Sequence, residues 1–255
     1  GAASVKALYI YDDYTPTPLS DSLVIPEGKT AEEYLADLDW FIEAEEANIG
    51  EVLTKTKTKL EKKVVQGKPA DKIIEYSDSG DYDLIVMGTT GKKEFSEVLF
   101  GSTATNVSQK AKCPVLLVPT GSAYRGMNDI IYACDFDHTS RKHISVVADI
   151  ANTFKSQVEL LFVKTNMTDK DNYTADAQNF AKAFAAESPE LKVTAHVIDE
   201  ESVVEGVNSF AKKANADLVV MVTKHRSFWE RIVHTSITKQ VAMYADEPVL
   251  IVHVD

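Results

Sequence analysis

An internal repeat constrains the fold of this chain more than any other feature of its 255 residues. At an offset of 134 positions, Asp83–Met87 matches Asp217–Met221. In the same register, Pro114–Val118 matches Pro248–Val252. Without a gap, that register also aligns Ile73 with Val207, Tyr76 with Phe210, Ser102 with Ser236 and Val107 with Val241. We therefore predict two tandem copies of one small unit.

The two copies differ near their beginnings. Val5–Ile10 resembles Val158–Val163 at an offset of 153, so the first copy carries about 19 additional residues after this strand. They fall in the proline-containing stretch Tyr14–Lys29 and in a longer helix that follows. A loop of that length is more often functional or mobile than neutral.

The second copy also opens earlier than the first. Its segment Ile130–Asp135 has the pattern of a buried strand, and a helix is predicted over about 140–154. Their counterparts in the first copy would fall before Gly1, so we expect that copy to lack its opening strand and helix. The sequence leaves open whether residues precede Gly1 or the fragment is truncated.

Strands alternate with helices in both copies, which predicts a parallel sheet covered on both faces. The predicted strands are 5–11, 58–65, 84–88 and 115–119 in copy one and 130–134, 158–163, 193–198, 218–222 and 249–253 in copy two. The helices of copy one are predicted at 31–54, 70–79 and 103–111. Thr30 and Glu33 form a capping box at the first of these helices. We predict two domains, 1–121 and 127–255, joined by a linker around 120–128.

Composition and charge disfavour several classes of protein. The formal net charge of −12 at pH 7 argues against nucleic acid and anionic membranes as partners. No apolar run approaches the ~20 residues of a membrane span, and residues 1–10 do not resemble a signal peptide. The two cysteines, Cys113 and Cys134, do not occupy matching positions, which favours a reduced, cytoplasmic protein. The lysine-rich segment 55–63 is interpreted as a solvated strand edge.

A glycine-rich loop follows the predicted strand 84–88 and is the candidate for chemistry. It consists of Gly88-Thr89-Thr90-Gly91 and, after nine further residues, Gly101-Ser102-Thr103. Ligands of open parallel sheets bind beyond the carboxyl ends of strands, and free N–H groups at a helix N-terminus attract anions. Glycine permits sharp turns and a close approach of the backbone. The loop therefore predicts a phosphate site, while a plain turn remains the structural alternative.

This pattern, preceded by Asp83–Met87 and followed by Cys113–Val118, resembles the ATP-binding motif of the universal stress protein family. Gly67-Lys68-Pro69-Ala70 and the position of Asp135 also fit that family. The resemblance covers nearly the whole chain. It implies an α/β, Rossmann-like fold of the adenine nucleotide alpha-hydrolase type, with a five-stranded parallel sheet in each copy. It also implies adenosine against the ends of the first two strands and phosphates on the glycine loop.

The resemblance further implies which residues of copy one hold the nucleotide. Ile10 would contact the adenine of ATP, and the loop would hold the phosphates, with or without Mg²⁺. The implied loop residues are Gly88, Thr89, Gly91, Gly101, Ser102 and Thr103. The aspartate that the family places at the end of its first strand has no counterpart in copy one.

Copy two departs from this pattern. In register, Val222 replaces Gly88, His225 replaces Gly91 and Thr235 replaces Gly101, while Ser236 is retained. We expect these side chains to exclude phosphate, so that one chain binds about one nucleotide. Basic residues make the stretch attractive to an anion all the same: Lys224, His225, Arg226 and Arg231.

The resemblance implies a nucleotide-binding stress-response module rather than an efficient enzyme. No Walker A loop, nucleophile elbow or zinc-spaced histidine pair is present, and we assign neither catalytic nor metal-binding residues. Two alternatives stay open. One is a slow ATPase or a protein that phosphorylates itself at a loop hydroxyl such as Ser102. The other is a tandem that binds a partner protein without nucleotide.

Family members commonly dimerise through their last strands, and a tandem chain can make that pairing within itself. Val115–Val118 and Val249–Val252 are the matching apolar strands and would otherwise be exposed sheet edges. We expect them to meet near a pseudo-twofold axis, which gives an intramolecular pseudo-dimer. A homodimer of the whole chain is a further option.

Overall fold

The computed structural model describes residues 4–12, 29–89, 101–134, 141–165, 173–224 and 245–254. Its contacts divide the chain into two compact units, Gly1–Glu75 and Tyr76–Asp255. The described residues contain nine strands and six helices. Each unit is considered by itself.

The first unit is a two-stranded parallel sheet with one long helix. It contains β1 (Ser4–Tyr11), α1 (Ala31–Thr56) and β2 (Lys59–Gln66). A second helix, α2 (Pro69–Asp78), crosses the division between the units. The strands pair in register from Ser4 opposite Lys59 to Tyr11 opposite Gln66.

The predicted capping box fixes the start of α1. The Glu33 N–H donates to Thr30 Oγ1 at 3.3 Å, and the Thr30 N–H donates to the Glu33 carboxylate at 2.6 Å. That backbone N–H lowers the pKa of Glu33 below its usual value. Among the side chains of this helix that the structure describes, the buried apolar ones are Leu38 and Ile42, one turn apart.

The lysines of β2 lie in solvent, as expected for a solvated strand. Lys59 and Lys63 are exposed. Lys59 pairs with Glu61 at 2.7 Å, and Lys62 pairs with Asp39 of α1. These charges are therefore neutralised within the first unit.

The second unit contains eleven elements after α2. The strands are β3 (Ile85–Gly88), β4 (Val115–Val118), β5 (Asp129–Ala133), β6 (Gln157–Lys164), β7 (Val193–Asp199), β8 (Leu218–Lys224) and β9 (Val249–Val254). The helices are α3 (Ser102–Lys110), α4 (Arg141–Phe154), α5 (Tyr173–Glu187) and α6 (Val203–Ala214). All predicted strands are present, with ends within two residues of those predicted.

In the described part of the chain, the second unit forms one seven-stranded sheet in the order β3-β4-β9-β8-β5-β6-β7. Copy two supplies the five neighbours β9 to β7, which are all parallel to one another. The alternation of strands and helices, together with this mostly parallel sheet, confirms the predicted α/β class.

The central strand of copy two is β5, which pairs with β6 on one side and β8 on the other. The described residues of copy one contain no strand equivalent to β5. Its four strands accordingly lie in two separate sets of pairs, β1 with β2 and β3 with β4.

The two copies are joined by an antiparallel pairing of β4 with β9. Leu116 lies opposite Leu250, its own counterpart in the repeat. The flanking pairs exchange symmetrically, with Val115 opposite Ile251 and Leu117 opposite Val249. This register defines a local twofold axis between the two central leucines, and it confirms that the last strands meet within one chain.

The core of the second unit lies on copy two. Its largest fully buried side chains come mostly from β5, β6 and α5, among them Tyr132, Phe162 and Phe184. At Gly206 of α6, an added Cβ would lie 2.6 Å from Val163 of β6. Only glycine allows the helix to pack this closely on the strand.

Replacing Leu117 by alanine tests the contribution of the β4–β9 junction. Leu117 is fully buried, so truncation should lower the free energy of unfolding by about 2–5 kcal/mol. Leu84→Ala is the matched control, because Leu84 is 45% exposed and should change stability by no more than ~0.5 kcal/mol. Urea denaturation followed by circular dichroism measures both, and equal small losses would contradict a packed junction.

Candidate functional site

The candidate site lies at the carboxyl end of β3. Gly88 is the last residue of this strand, lies opposite Val118 of β4 and is exposed. Thr89 follows and is buried, and its N–H donates to the Val118 carbonyl at 3.2 Å. The strand end is therefore held firmly against β4.

A backbone hydrogen bond brings the beginning of α3 to this strand end. The Gly101 N–H donates to the Thr89 carbonyl at 2.7 Å. The predicted residues on the two sides of the loop, Gly88 and Thr89 on one and Gly101, Ser102 and Thr103 on the other, thus come together. Gly91 lies outside the described residues.

The N-terminus of α3 carries backbone donors that have no backbone acceptor in the described part of the chain. Gly101 is the N-cap and makes no side-chain capping bond, and the first helical bond runs from the Thr105 N–H to the Gly101 carbonyl at 3.0 Å. Among the described residues, the N–H groups of Ser102, Thr103 and Ala104 therefore have no backbone acceptor. The first turn contains no acidic residue, so the positive end of the helix dipole is not neutralised locally.

Packing fixes the position of α3. Ala104, Val107 and Ser108 are buried, whereas Ser102 is exposed at the N-terminal end. Near the other end, the Ser108 carbonyl lies 2.9 Å from Nε2 of His253 in β9. The donors at the N-terminus thus belong to a helix that is anchored in both copies.

The glycines of the site create space rather than a special backbone conformation. Gly88 is extended at the end of β3, in agreement with the predicted strand 84–88. Gly101 has φ −69°, which any residue can adopt. Among the described residues, a Cβ at Gly101 would meet only the Thr89 carbonyl oxygen, at an ordinary 3.5 Å. Because Gly88 and Gly101 have no side chains, a ligand can approach the backbone at both positions.

Ile10, the predicted adenine contact, lies in the first unit. It is partly buried in β1 opposite Val65. An aromatic cluster that was not predicted from the sequence involves the residues on either side of it: Tyr34 of α1 stacks on Tyr9 and Tyr11, with ring centroids 5.4 and 4.5 Å apart. Alternate tyrosines on one strand face and a tyrosine in the next helix were the available signal.

In copy two, the position equivalent to Gly88 belongs to the core. Val222 lies opposite Val252, and its side chain packs against the hydrophobic cluster of that copy. The expected steric exclusion of phosphate by this side chain therefore loses support. The expected exclusion of phosphate from copy two now depends on His225 and Thr235. Both residues lie outside the described residues, as do Asp135 and Ser236.

The described residues show neither a metal-ligand cluster nor a membrane-spanning helix. In the ranges that the structure describes, no three His, Cys, Asp or Glu side chains cluster as metal ligands would. None of the described helices combines the length and the hydropathy that crossing a membrane requires.

Residues 2–119 and 127–253 each match the universal stress protein family, and the two matches together cover nearly the whole chain. The chain belongs to the universal stress protein family. The double match agrees with the repeat and with the β4–β9 junction, and the protein is a tandem member of the family.

Similar proteins show how far this likeness extends. A universal stress protein of Methanocaldococcus jannaschii is 45% identical over 60 residues, which are 24% of this chain and 35% of that protein. The stress response protein NhaX of Bacillus subtilis is 29% identical over 118 residues, which are 46% of this chain and 61% of that protein. The aligned parts thus span less than two thirds of these curated relatives.

A solved structure resembles this universal stress protein over its full length. The crystal structure of a universal stress protein from Archaeoglobus fulgidus superposes with a TM-score of 0.70 and 19% identity. The match covers 99% of this chain and 88% of the other. At that identity, the likeness establishes the fold alone.

Gly101→Ala tests whether the glycine is needed for folding. Because the backbone is unstrained and the new Cβ has room, we expect the free energy of unfolding to change by no more than ~0.5 kcal/mol. Thermal and urea denaturation of the wild type and the variant measure this. A loss of several kcal/mol would instead give Gly101 a structural role.

Proposed function

We propose that this chain binds an adenine nucleotide, ATP, at the end of β3 and acts as a binding or regulatory module in the stress response. The observation that carries the proposal is the set of three N–H groups at the α3 N-terminus. These groups lie beside the end of β3, and the two nearest chain ends carry glycines, Gly88 at the strand end and Gly101 at the helix N-cap. Backbone donors of this kind bind phosphate oxygens directly.

The phosphates would contact the backbone N–H groups of Ser102, Thr103 and Ala104. The Ser102 hydroxyl is exposed and can donate a further bond, and Gly88 and Gly101 let the phosphate chain approach the backbone closely. Mg²⁺ bound with the nucleotide would add positive charge. Thr89 positions the site through its bond to Gly101. Gly91 and Ile10 remain proposals from the family pattern.

Local charge favours an anion here despite the net charge of −12. Residues 101–109 carry no ionisable side chain, and the first charge along α3 is Lys110. The potential at the helix N-terminus is therefore set by backbone dipoles, which attract negative charge. A phosphate group does not have to overcome a neighbouring carboxylate on this helix.

The domain boundaries and the cellular location are also proposals. The family matches, 2–119 and 127–253, support copies at about 1–121 and 127–255. Both cysteines are free, and burial raises the pKa of the Cys113 thiol. A protein that keeps its cysteines reduced suits the cytoplasm.

Equilibrium binding of a fluorescent ATP analogue tests the function. We expect saturable binding by the wild type and binding at least about tenfold weaker by Gly101→Val, because the valine side chain would keep the phosphates away from the backbone donors. A charge-assisted hydrogen bond is worth about 1.5–3 kcal/mol, so losing one weakens binding by that factor or more. Asn106→Ala is the matched control, since Asn106 is exposed on the same helix one turn from the donors. It should bind like the wild type.

Circular dichroism must first show that all three proteins are folded. No binding by the folded wild type would refute the nucleotide function. Equal binding by the wild type and Gly101→Val would place the phosphates elsewhere on the protein.

A further inference from the structure

A cavity of about 560 Å³ opens at the amino ends of β5, β6 and β7 in copy two. Its walls come from the residue before β5, the end of α4, the turn between α4 and β6 and the turn between α5 and β7. Polar side chains line this amino-end cavity: Asn128, Asn152, Lys155, Gln157, Glu190 and Lys192. Its volume falls within the range of about 300–1,000 Å³ that is typical of small-molecule sites.

The amino-end cavity is distinct from the proposed nucleotide site at the end of β3. Because β4 and β9 run antiparallel, the amino ends of the copy-two strands share one edge of the sheet with the carboxyl end of β3. The strands β4, β9 and β8 lie between β3 and β5. At about 4.8 Å per strand, β3 and β5 are about 19 Å apart. A ligand in the cavity therefore uses none of the glycine-loop residues.

Backbone hydrogen bonds fix the two turns that carry the charged side chains. In the first turn, the Ser156 N–H donates to a carbonyl of α4 at 2.9 Å, and Lys155 has a left-handed backbone with φ 58°. In the second turn, the Leu191 N–H donates to the Ser188 carbonyl at 3.1 Å, next to Glu190. The backbone at both charged residues is thus held in place, while their side chains are exposed.

A chain of hydrogen bonds positions a second lysine at the cavity. Lys192 Nζ donates to Gln157 Oε1 at 2.8 Å, and Gln157 Nε2 donates to the Asp129 carboxylate. The ammonium group of Lys192 is therefore bonded to a neutral amide rather than to a carboxylate. It keeps donors for a further, negatively charged acceptor.

Lys155 and Glu190 line the same cavity without pairing. In the part of the chain that the structure describes, neither side chain makes a hydrogen bond or an ion pair. The side-chain amides of Asn128 and Asn152 make no hydrogen bond to described residues either. The cavity thus offers two ammonium groups, one carboxylate and two amides to a ligand that can contact them together.

We propose that the amino-end cavity binds a free acidic amino acid, a ligand with two carboxylates and one ammonium group. Lys155 and Lys192 pair with the carboxylates, and Glu190 pairs with the ammonium group. The amides of Asn128 and Asn152 donate to the remaining carboxylate oxygens. The charges of ligand and cavity complement each other group by group. This inference goes beyond the proposed nucleotide function and does not depend on it.

NMR titration of the intact 255-residue protein with L-glutamate tests the proposal. We expect the amide signals of Lys155, Ser156 and Lys192 to shift in a saturable way, while those of Ser102 and Thr103 stay in place. Glutarate lacks the ammonium group, and 4-aminobutyrate lacks one carboxylate. Each should bind about threefold more weakly or worse, because each loses one solvent-exposed ion pair.

Two variants assign the charges. Glu190→Gln should bind glutamate and glutarate equally, because the partner of the ammonium group is lost. Lys155→Asn should bind glutamate no better than 4-aminobutyrate, and asparagine tolerates the left-handed backbone at this position. Lys182→Gln is the matched control, since Lys182 is an exposed lysine of α5 outside the cavity, and this variant should bind glutamate like the wild type.

Three results would overturn the proposal, once circular dichroism has shown that all variants are folded. The first is the absence of a saturable shift in the wild type. The second is equal binding of glutamate, glutarate and 4-aminobutyrate, which would mean that the cavity does not recognise the three charges. The third is undiminished glutamate binding by Glu190→Gln or Lys155→Asn, which would place the ligand elsewhere on the protein.

Discussion

The antiparallel ladder between β4 and β9 is the interaction on which the second unit depends. Without it, β3 and β4 would form a two-stranded ribbon, which is marginally stable in water. Through it, they join the five strands of copy two and the hydrophobic core beneath them. The β3 end and the α3 N-terminus, also held by the contact between His253 and Ser108, are therefore supported by the copy whose own loop has lost its glycines.

Under the proposed function, the two copies divide structure and chemistry between them. Copy two has the complete parallel sheet, because β5 joins β6 to β8, and its position 222 carries a core valine. Copy one keeps the glycine pattern and the uncapped helix N-terminus but has no described strand in the place of β5.

Much of this fold could be predicted from sequence because most of its strands are short apolar runs that recur in the two copies, at offsets of 134 and 153 residues. The capping box at Thr30 could also be predicted, because both of its hydrogen bonds join residues only three positions apart in the sequence. The strand end at Gly88 was also predicted, because the apolar run stops there. The stacking of Tyr34 on two strand tyrosines and the core packing of Val222 depend on contacts between distant segments, which periodicity does not reveal.

Isothermal titration calorimetry with ATP on the intact chain tests most directly the claim that copy one alone holds a nucleotide. The measured quantity is the number of nucleotides bound per chain at saturation. We predict a stoichiometry near one, because backbone donors and open glycine positions coincide only at the end of β3 among the described residues. A stoichiometry near two would show that copy two binds as well and would contradict the division of roles between the copies.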